Sequence, residues 1–404
     1  MAAHDEPVPA QPDSAAWLHV ARAAAALAAA MGIGRFAYTP ILPLMTAQAG
    51  LTAQAAGHLA TANYVGYLGG AVAGTLSHRF ARSTTAWRTS LVVLIATLAL
   101  MPLASNIFGW LTLRTVAGFA SAVVFVIAVN SLLEHLRDHS PHLPGWGIGG
   151  VGVGIALSGL MVLAMPASAG WRGAWWTAAV SAAILTVGAW GMRGTPRPSA
   201  VTPVGAPPPP MPNAKRLFAA LFTSYTLEGI GYIVAGTFLV AAIHQNSSGW
   251  LGSGAWMLVG LAAAPSAALW AWLSARWRHP VLLVAALLLQ AIGIALPALA
   301  DGPAAALVGA ILFGATFIGV STISLAAGRL LQFPGAVALL TVGYSAGQIL
   351  GPLLVSPLLG NGFHHALLAA AMVVVASAMV AALLRSGFTP ASTDRPTAAM
   401  STGR

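Results

Sequence analysis

The sequence alternates between apolar blocks of roughly 20 residues and short polar breaks, and this pattern limits the chain to a membrane-spanning helical fold. Hydrophobic residues make up 58% of the chain, charged residues make up only 6%, and the mean hydropathy is +0.81. Such a composition lies outside the range of soluble globular domains. The sequence therefore predicts an all-α protein that crosses the lipid bilayer many times.

Division of the sequence into apolar runs predicts twelve transmembrane helices. The predicted bounds are 17–44, 53–76, 86–104, 107–133, 144–167, 172–192, 216–243, 252–273, 280–299, 303–327, 335–358 and 363–385. An even number of spans places both termini on one side, and arginines in the connections decide which side that is. Among the connections on the opposite side, only the one with Arg172 is basic. We therefore expect both termini in the cytoplasm and the protein in the inner (plasma) membrane of a bacterium.

A proline-rich segment divides the chain near its middle. Residues 193–215 include the run APPPPMP, which is too rich in proline for a helix or a strand and predicts a cytoplasmic linker. The expected domains are a disordered tail over 1–16, a six-helix bundle over 17–192, the linker over 193–215, a second six-helix bundle over 216–386 and a disordered tail over 387–404.

The two halves share an internal repeat. The tripeptide GIG occurs at 32–34 and again at 229–231, an offset of 197 residues, and the pattern Leu-Ser-x-Arg at 76–79 recurs at 273–276 with the same offset. Two unrelated matches with one offset favour a duplication, which predicts two pseudo-symmetric bundles. Parallel six-helix repeats are typical of secondary transporters, in which the solute site lies between the halves near the middle of the membrane.

Several motifs carry a more specific resemblance. They are GTLSHRFARS at 74–83, RTVAG at 114–118, GIGRFAYTPILPLM at 32–45, ANYVGYLGG at 62–70 and GQILGPLL at 347–354. In these segments the chain resembles the major facilitator superfamily, and in particular its YbfB/YjiJ branch. The resemblance implies the major facilitator fold, with a central cavity lined by the predicted helices 1, 4, 7 and 10.

The resemblance also implies a cytoplasmic gate in the loop after the second helix, formed by His78, Arg79 and Arg82. This chain departs from the usual loop signature, because His78 occupies its acidic position and Ala275 occupies the corresponding position of the second half. The usual charge network of the loop is therefore altered.

Glu228 is the one acidic residue in the middle of a predicted helix. It lies between Tyr225 and Tyr232 at a spacing that places all three on one helical face. Because a charge at the bilayer centre costs about 2.5–3.5 kcal/mol on insertion scales, such an acid needs a partner, a wet cavity or a function. We interpret Glu228 as a proton carrier, with a fixed counter-ion as the alternative, and the two tyrosines as candidate solute ligands.

Arg35 and Arg114 lie deep within the predicted helices 1 and 4. A guanidinium group binds a carboxylate through two parallel hydrogen bonds, so these arginines are candidate ligands of an anionic solute, together with Tyr38 one turn after Arg35. The alternative is structural: either arginine pairs with Glu228 or caps backbone carbonyl groups. The sequence leaves both interpretations open.

Polar pairs at four-residue spacing occur on predicted helices 2 and 11. Asn63 and Tyr67 form the first pair, and Tyr344 and Gln348 form the second. Their side chains could bind the solute, or they could join neighbouring helices by hydrogen bonds, as such residues often do in membranes.

Other classes of function find little support. The chain has no cysteine, and its formal charge of +10 is spread between apolar blocks, which argues against nucleic-acid binding. One predicted loop contains three histidines, His135, His139 and His142. A solvated loop is a simpler interpretation of this segment than a metal site. We expect no enzyme activity, cofactor or metal. The sequence predicts a monomeric, proton-coupled secondary transporter of a small organic solute; the alternative is a receptor or scaffold that does not transport.

Overall fold

The computed structural model describes residues 13–77, 80–137, 139–140, 142–192, 213–247 and 249–386, and every regular element within these ranges is a helix. The α-helices are α1 (Asp13–Leu27), α2 (Tyr38–Ala49), α3 (Ala53–Leu76), α4 (Thr84–Leu100), α5 (Ile107–His135), α6 (Leu143–Ile148), α7 (Gly150–Ala164), α8 (Gly170–Ala189), α9 (Ala214–Asn246), α10 (Leu251–Ser274), α11 (His279–Leu299), α12 (Pro303–Leu330), α13 (Ala336–Val355) and α14 (Phe363–Ala382). We call α1–α8 the first half and α9–α14 the second half.

The predicted count of twelve spans is not confirmed by helix length and hydropathy. Nine helical stretches among the described residues are long and apolar enough to cross a membrane: Ser14–Ala49, Ile107–His135, Leu143–Ala164, Ala214–Gln245, Leu251–Ser274, His279–Leu299, Pro303–Leu330, Ala336–Gly360 and Phe363–Arg385. Helix α4 is apolar but has only 17 residues. Helices α3 and α8 fall outside the nine, and α3 contains Gln54, His58 and Asn63.

Helix bounds follow the sequence prediction closely, except at the N-terminus, in the first helix, in the predicted helix over 144–167 and at the end of the predicted linker. Residues 13–16, assigned to the N-terminal tail by sequence, form the start of α1. The predicted helix over 144–167 is divided at Gly149 and its α-helix ends at Ala164, before a helical 3-10 turn at Ala167–Ala169. The described part of the predicted linker, residues 213–215, already enters α9, while residues 193–212 lie outside the described residues.

The predicted first helix is continuous in sequence but broken in structure. After α1, a π-helix over Ala28–Ile33 leads into a turn, and α2 begins at Tyr38. Pro40 lies in the first turn of α2, where its missing N–H group is tolerated because those groups have no partner within the helix. The break leaves backbone carbonyl groups of the turn available to side chains from other helices.

Small residues allow the two halves to approach closely. Helix α7 packs against α10, α3 against α13, and α2 against α9. A Cβ atom added to Gly260 of α10 would lie 2.1 Å from the backbone nitrogen of Ala156 and 2.6 Å from the carbonyl oxygen of Gly152, both on α7. Glycine at this position therefore permits direct backbone contact between the halves, as is common for membrane helices.

We expect Gly260→Ala to lower the free energy of unfolding by about 1–3 kcal/mol, because the added methyl group meets backbone atoms that cannot move aside. Gly188→Ala on α8 is the matched control, since the nearest atom to its added Cβ is the Ala25 side chain at 3.9 Å. Thermal unfolding in detergent, followed by tryptophan fluorescence, measures both variants. Equal melting temperatures would contradict close contact between α7 and α10.

Candidate functional site

Arg35 lies in the break of the first helix, and only 3% of its surface is exposed. Its Nη2 atom donates a hydrogen bond to Oε1 of Gln348 on α13, across the contact between the halves. Its guanidinium carbon lies 4.3 Å from the ring centre of Tyr67 and 4.9 Å from that of Tyr64. Its Nε atom is buried without a hydrogen-bond partner among the described residues. Arg35 is thus surrounded by an amide and aromatic faces rather than by a carboxylate.

Arg114, on α5, has a different environment. Its Nη1 and Nη2 atoms donate hydrogen bonds to the carbonyl oxygens of Gly34, at 3.2 Å, and Arg35, at 3.1 Å. Its guanidinium group also lies 5.0 Å from the ring centre of Tyr38. These contacts match the structural alternative that the sequence left open, in which the arginine caps the carbonyl groups freed by the helix break.

Glu228 is fully buried on α9. Its Oε1 atom accepts a hydrogen bond from Nε2 of Gln290 on α11 at 3.1 Å, and its Oε2 atom has no hydrogen-bond partner within the described part of the chain. Within the part of the chain that the structure describes, neither Arg35 nor Arg114 forms an ion pair with Glu228. The pairing of acid and arginine that the sequence allowed is therefore not formed in this conformation.

A row of aromatic rings connects the surroundings of Glu228 to the helix break at Arg35. Consecutive ring centres are 4.3, 5.3, 5.9, 6.4 and 6.3 Å apart. This aromatic row consists of Tyr225, Tyr344, Tyr232, Phe317, Phe36 and Trp256. It brings the predicted tyrosines of α9 and α13 together. It also links four helices of the second half, α9, α10, α12 and α13, to the first half at Phe36.

Two of the predicted solute ligands, Tyr38 and Asn63, form hydrogen bonds to backbone groups. The Tyr38 hydroxyl donates to the carbonyl oxygen of Ala56 at 3.0 Å, and Asn63 Nδ2 donates to the carbonyl oxygen of Arg114 at 2.9 Å. Both residues therefore join neighbouring helices of the first half. Tyr67, by contrast, presents its ring to Arg35.

The predicted gate is only partly described. His78 and Arg79 lie outside the described residues, and Arg82 ends a short 3-10 helix, Phe80–Arg82, which packs against α3, α4 and α5. Within the described residues, no group of three or more histidine and acidic side chains could hold a metal ion. His135 instead stacks on His19, with ring centres 4.2 Å apart.

Sequence reasoning missed two side chains at this site. Gln290 is the lone amide within the apolar helix α11, and it is fully buried against Glu228. Tyr64 lies between the two polar residues that the sequence singled out on α3, and its hydroxyl shares a 2.8 Å hydrogen bond with Thr237 of the second half. An unexplained polar residue in an apolar helix was the available signal for Gln290.

The helical membrane fold, with one arginine buried at the contact between its halves and an acid buried within the second half, defines the class as a membrane transporter. The chain belongs to the family described as uncharacterised MFS-type transporter YbfB, whose model matches residues 27–385. This match confirms the resemblance to the major facilitator superfamily. No curated protein matches the sequence significantly.

Solved structures of transporters share the fold. The nucleoside transporter NupG superimposes with a TM-score of 0.66 at 14% identity, covering 91% of this chain and 99% of NupG. A mutant of NupG gives a TM-score of 0.67 at 12% identity, covering 92% and 100% of the two chains. The human organic anion transporter MFSD10 (TETRAN) gives 0.60 at 14% identity, also covering 92% and 100%. At these identities the similarity establishes the fold alone.

Proposed function

We propose that the chain is a secondary active transporter that moves a small organic solute, anionic or amphipathic, by alternating access coupled to protons. Twelve spans form its two bundles of six, over residues 17–192 and 216–386, in a monomer with both termini in the cytoplasm. The observation that carries the proposal is the position of Arg35. It is a buried guanidinium without a carboxylate partner among the described residues, held at the contact between two halves.

An anion is the chemistry that this arginine favours. Burial of a charge costs free energy unless the charge is paired and hydrogen-bonded. The described partners of Arg35 are Gln348, which is neutral, and aromatic faces, whose attraction for a cation is modest. A solute carboxylate would supply the missing countercharge, and its apolar part would pack against the aromatic row. One structural neighbour is named as an organic anion transporter, which agrees with this class of solute.

Glu228 is the proposed proton carrier. It lies in a different helix and makes different contacts from Arg35, so proton binding and solute binding use separate groups connected through the aromatic row. His78, Arg79 and Arg82 are the proposed cytoplasmic gate. The competing class, a receptor or scaffold with the same fold, has no need of a buried acid within the second half or of a buried arginine at the contact between the halves.

Purified protein in liposomes tests the proposal. We expect radiolabelled organic anions from a mixed panel to accumulate against their gradient when a pH gradient is imposed, and a protonophore to abolish that accumulation. Neutral analogues of the accumulated anions serve as controls for solute charge. A panel of anions, nucleosides and amphipathic drugs that neither accumulates nor changes the melting temperature of the protein would favour the receptor or scaffold.

A further inference from the structure

The contact between Glu228 and Gln290 leaves two acceptor atoms without donors. Gln290 Nε2 donates to Glu228 Oε1 at 3.1 Å. The other oxygen of each group, Glu228 Oε2 and Gln290 Oε1, is buried and has no hydrogen-bond partner among the described residues. Both side chains are fully buried. Unsatisfied buried acceptors are uncommon in native structures, so two of them on one contacting pair require an explanation.

One proton would satisfy both atoms. An ionised carboxylate only accepts hydrogen bonds, whereas a protonated carboxyl group has one O–H donor, and an amide has one oxygen acceptor and two N–H donors. A carboxylic acid and an amide can therefore form a cyclic pair. The amide N–H donates to the carboxyl oxygen, and the carboxyl O–H donates to the amide oxygen.

We propose that Gln290 holds Glu228 in its protonated form in this conformation through such a cyclic acid–amide pair. The proton binds to Glu228 Oε2, and the new O–H group donates to Gln290 Oε1. The titratable groups around the carboxyl are Tyr225 and Tyr232 from α9 and Tyr344 from α13. None of them carries a cationic charge, and the Tyr344 hydroxyl also interacts with the carboxyl as a polar neighbour. Gln290 is thus a positioning residue for the proton.

This inference rests on the proposed function and deepens it, because it assigns a proton-loaded state to the conformation described here. Loss of the proton leaves Glu228 Oε2 and Gln290 Oε1 as two acceptors that repel each other. The two side chains must then separate or rotate. Release of the proton therefore changes the side-chain contact that joins α9 to α11.

Infrared spectroscopy of the full chain in lipid tests the pair directly. At neutral pH we expect a protonated-carboxyl C=O band that is lost in Glu228→Gln. In Gln290→Met, which keeps the side-chain length and removes the amide, the band should shift to higher wavenumber because the carbonyl loses its N–H donor. The exchanged variant Glu228→Gln/Gln290→Glu should restore the original band, since it rebuilds an acid–amide pair with its members exchanged.

Gln54→Met, at the exposed start of α3, is the matched control and should leave the band unchanged. The inference is overturned if no protonated-carboxyl band depends on Glu228, or if Gln290→Met leaves its frequency unchanged. The first result needs no variant of Gln290, so misfolding of Gln290→Met would not protect the proposal. A transport assay distinguishes the acid–amide pair from the proton-carrier role. Normal proton-driven flux in Glu228→Gln would contradict the proton-carrier role, whatever the infrared band shows.

Discussion

Replacement of Glu228 by glutamine is expected to abolish solute accumulation driven by a pH gradient, while exchange of solute across the membrane continues. Glutamine keeps the shape of the side chain and a hydrogen-bonding oxygen for Gln290, but it cannot bind and release a proton. Coupling is therefore lost while the solute site remains. Proteoliposome assays measure both quantities: uptake against a concentration gradient under an imposed pH gradient, and exchange of labelled for unlabelled solute without one.

Glu134→Gln provides the matched control for this experiment. It makes the same chemical change in the last turn of α5, which belongs to the first half and contributes no ring to the aromatic row. This control should accumulate solute as the wild type does. Proton-driven accumulation by Glu228→Gln at the wild-type level would show that another group carries the proton, and loss of both accumulation and exchange would indicate a structural role for the acid.

The sequence predicted the fold well because hydropathy and helix length are local properties. The predicted bounds of 53–76 coincide with α3, whereas the predicted continuous helix over 17–44 is broken between Ile33 and Tyr38. The number of spans was less secure. Helix α4 is short, and polar residues dilute the hydropathy of α3, so packing rather than composition has to stabilise such helices in a bilayer.

The site was harder to predict because its interactions join residues that are distant in the sequence. Arg35 and Arg114 were equivalent candidates from the sequence. Their contacts differ because the carbonyl groups freed by the helix break lie beside α5, whereas Gln348 of the second half lies beside Arg35. Gln290 was missed for the same reason, since an isolated amide shows its partner only when helices α9 and α11 are packed together.

Replacement of Arg35 by glutamine is expected to weaken binding of anionic solutes by roughly 10- to 100-fold, because a hydrogen bond to a charged group contributes about 1.5–3 kcal/mol. Neutral analogues should lose little affinity, since glutamine still offers an amide beside Gln348 and the aromatic rings. Thermal-shift titrations with pairs of anionic and neutral analogues measure the two effects separately. The comparison isolates the contribution of the guanidinium charge.

Arg114→Gln makes the same chemical change at the neighbouring arginine and should give the opposite pattern. It leaves the carbonyl groups of Gly34 and Arg35 without their guanidinium donors. The melting temperature should therefore fall, and binding of anionic and neutral analogues should weaken alike. Equal losses for both classes of solute in Arg35→Gln would assign Arg35 the same structural role as Arg114. If Arg35→Gln loses affinity for anionic analogues selectively and Arg114→Gln does not, the break in the first helix is the place where the charged group of the solute binds.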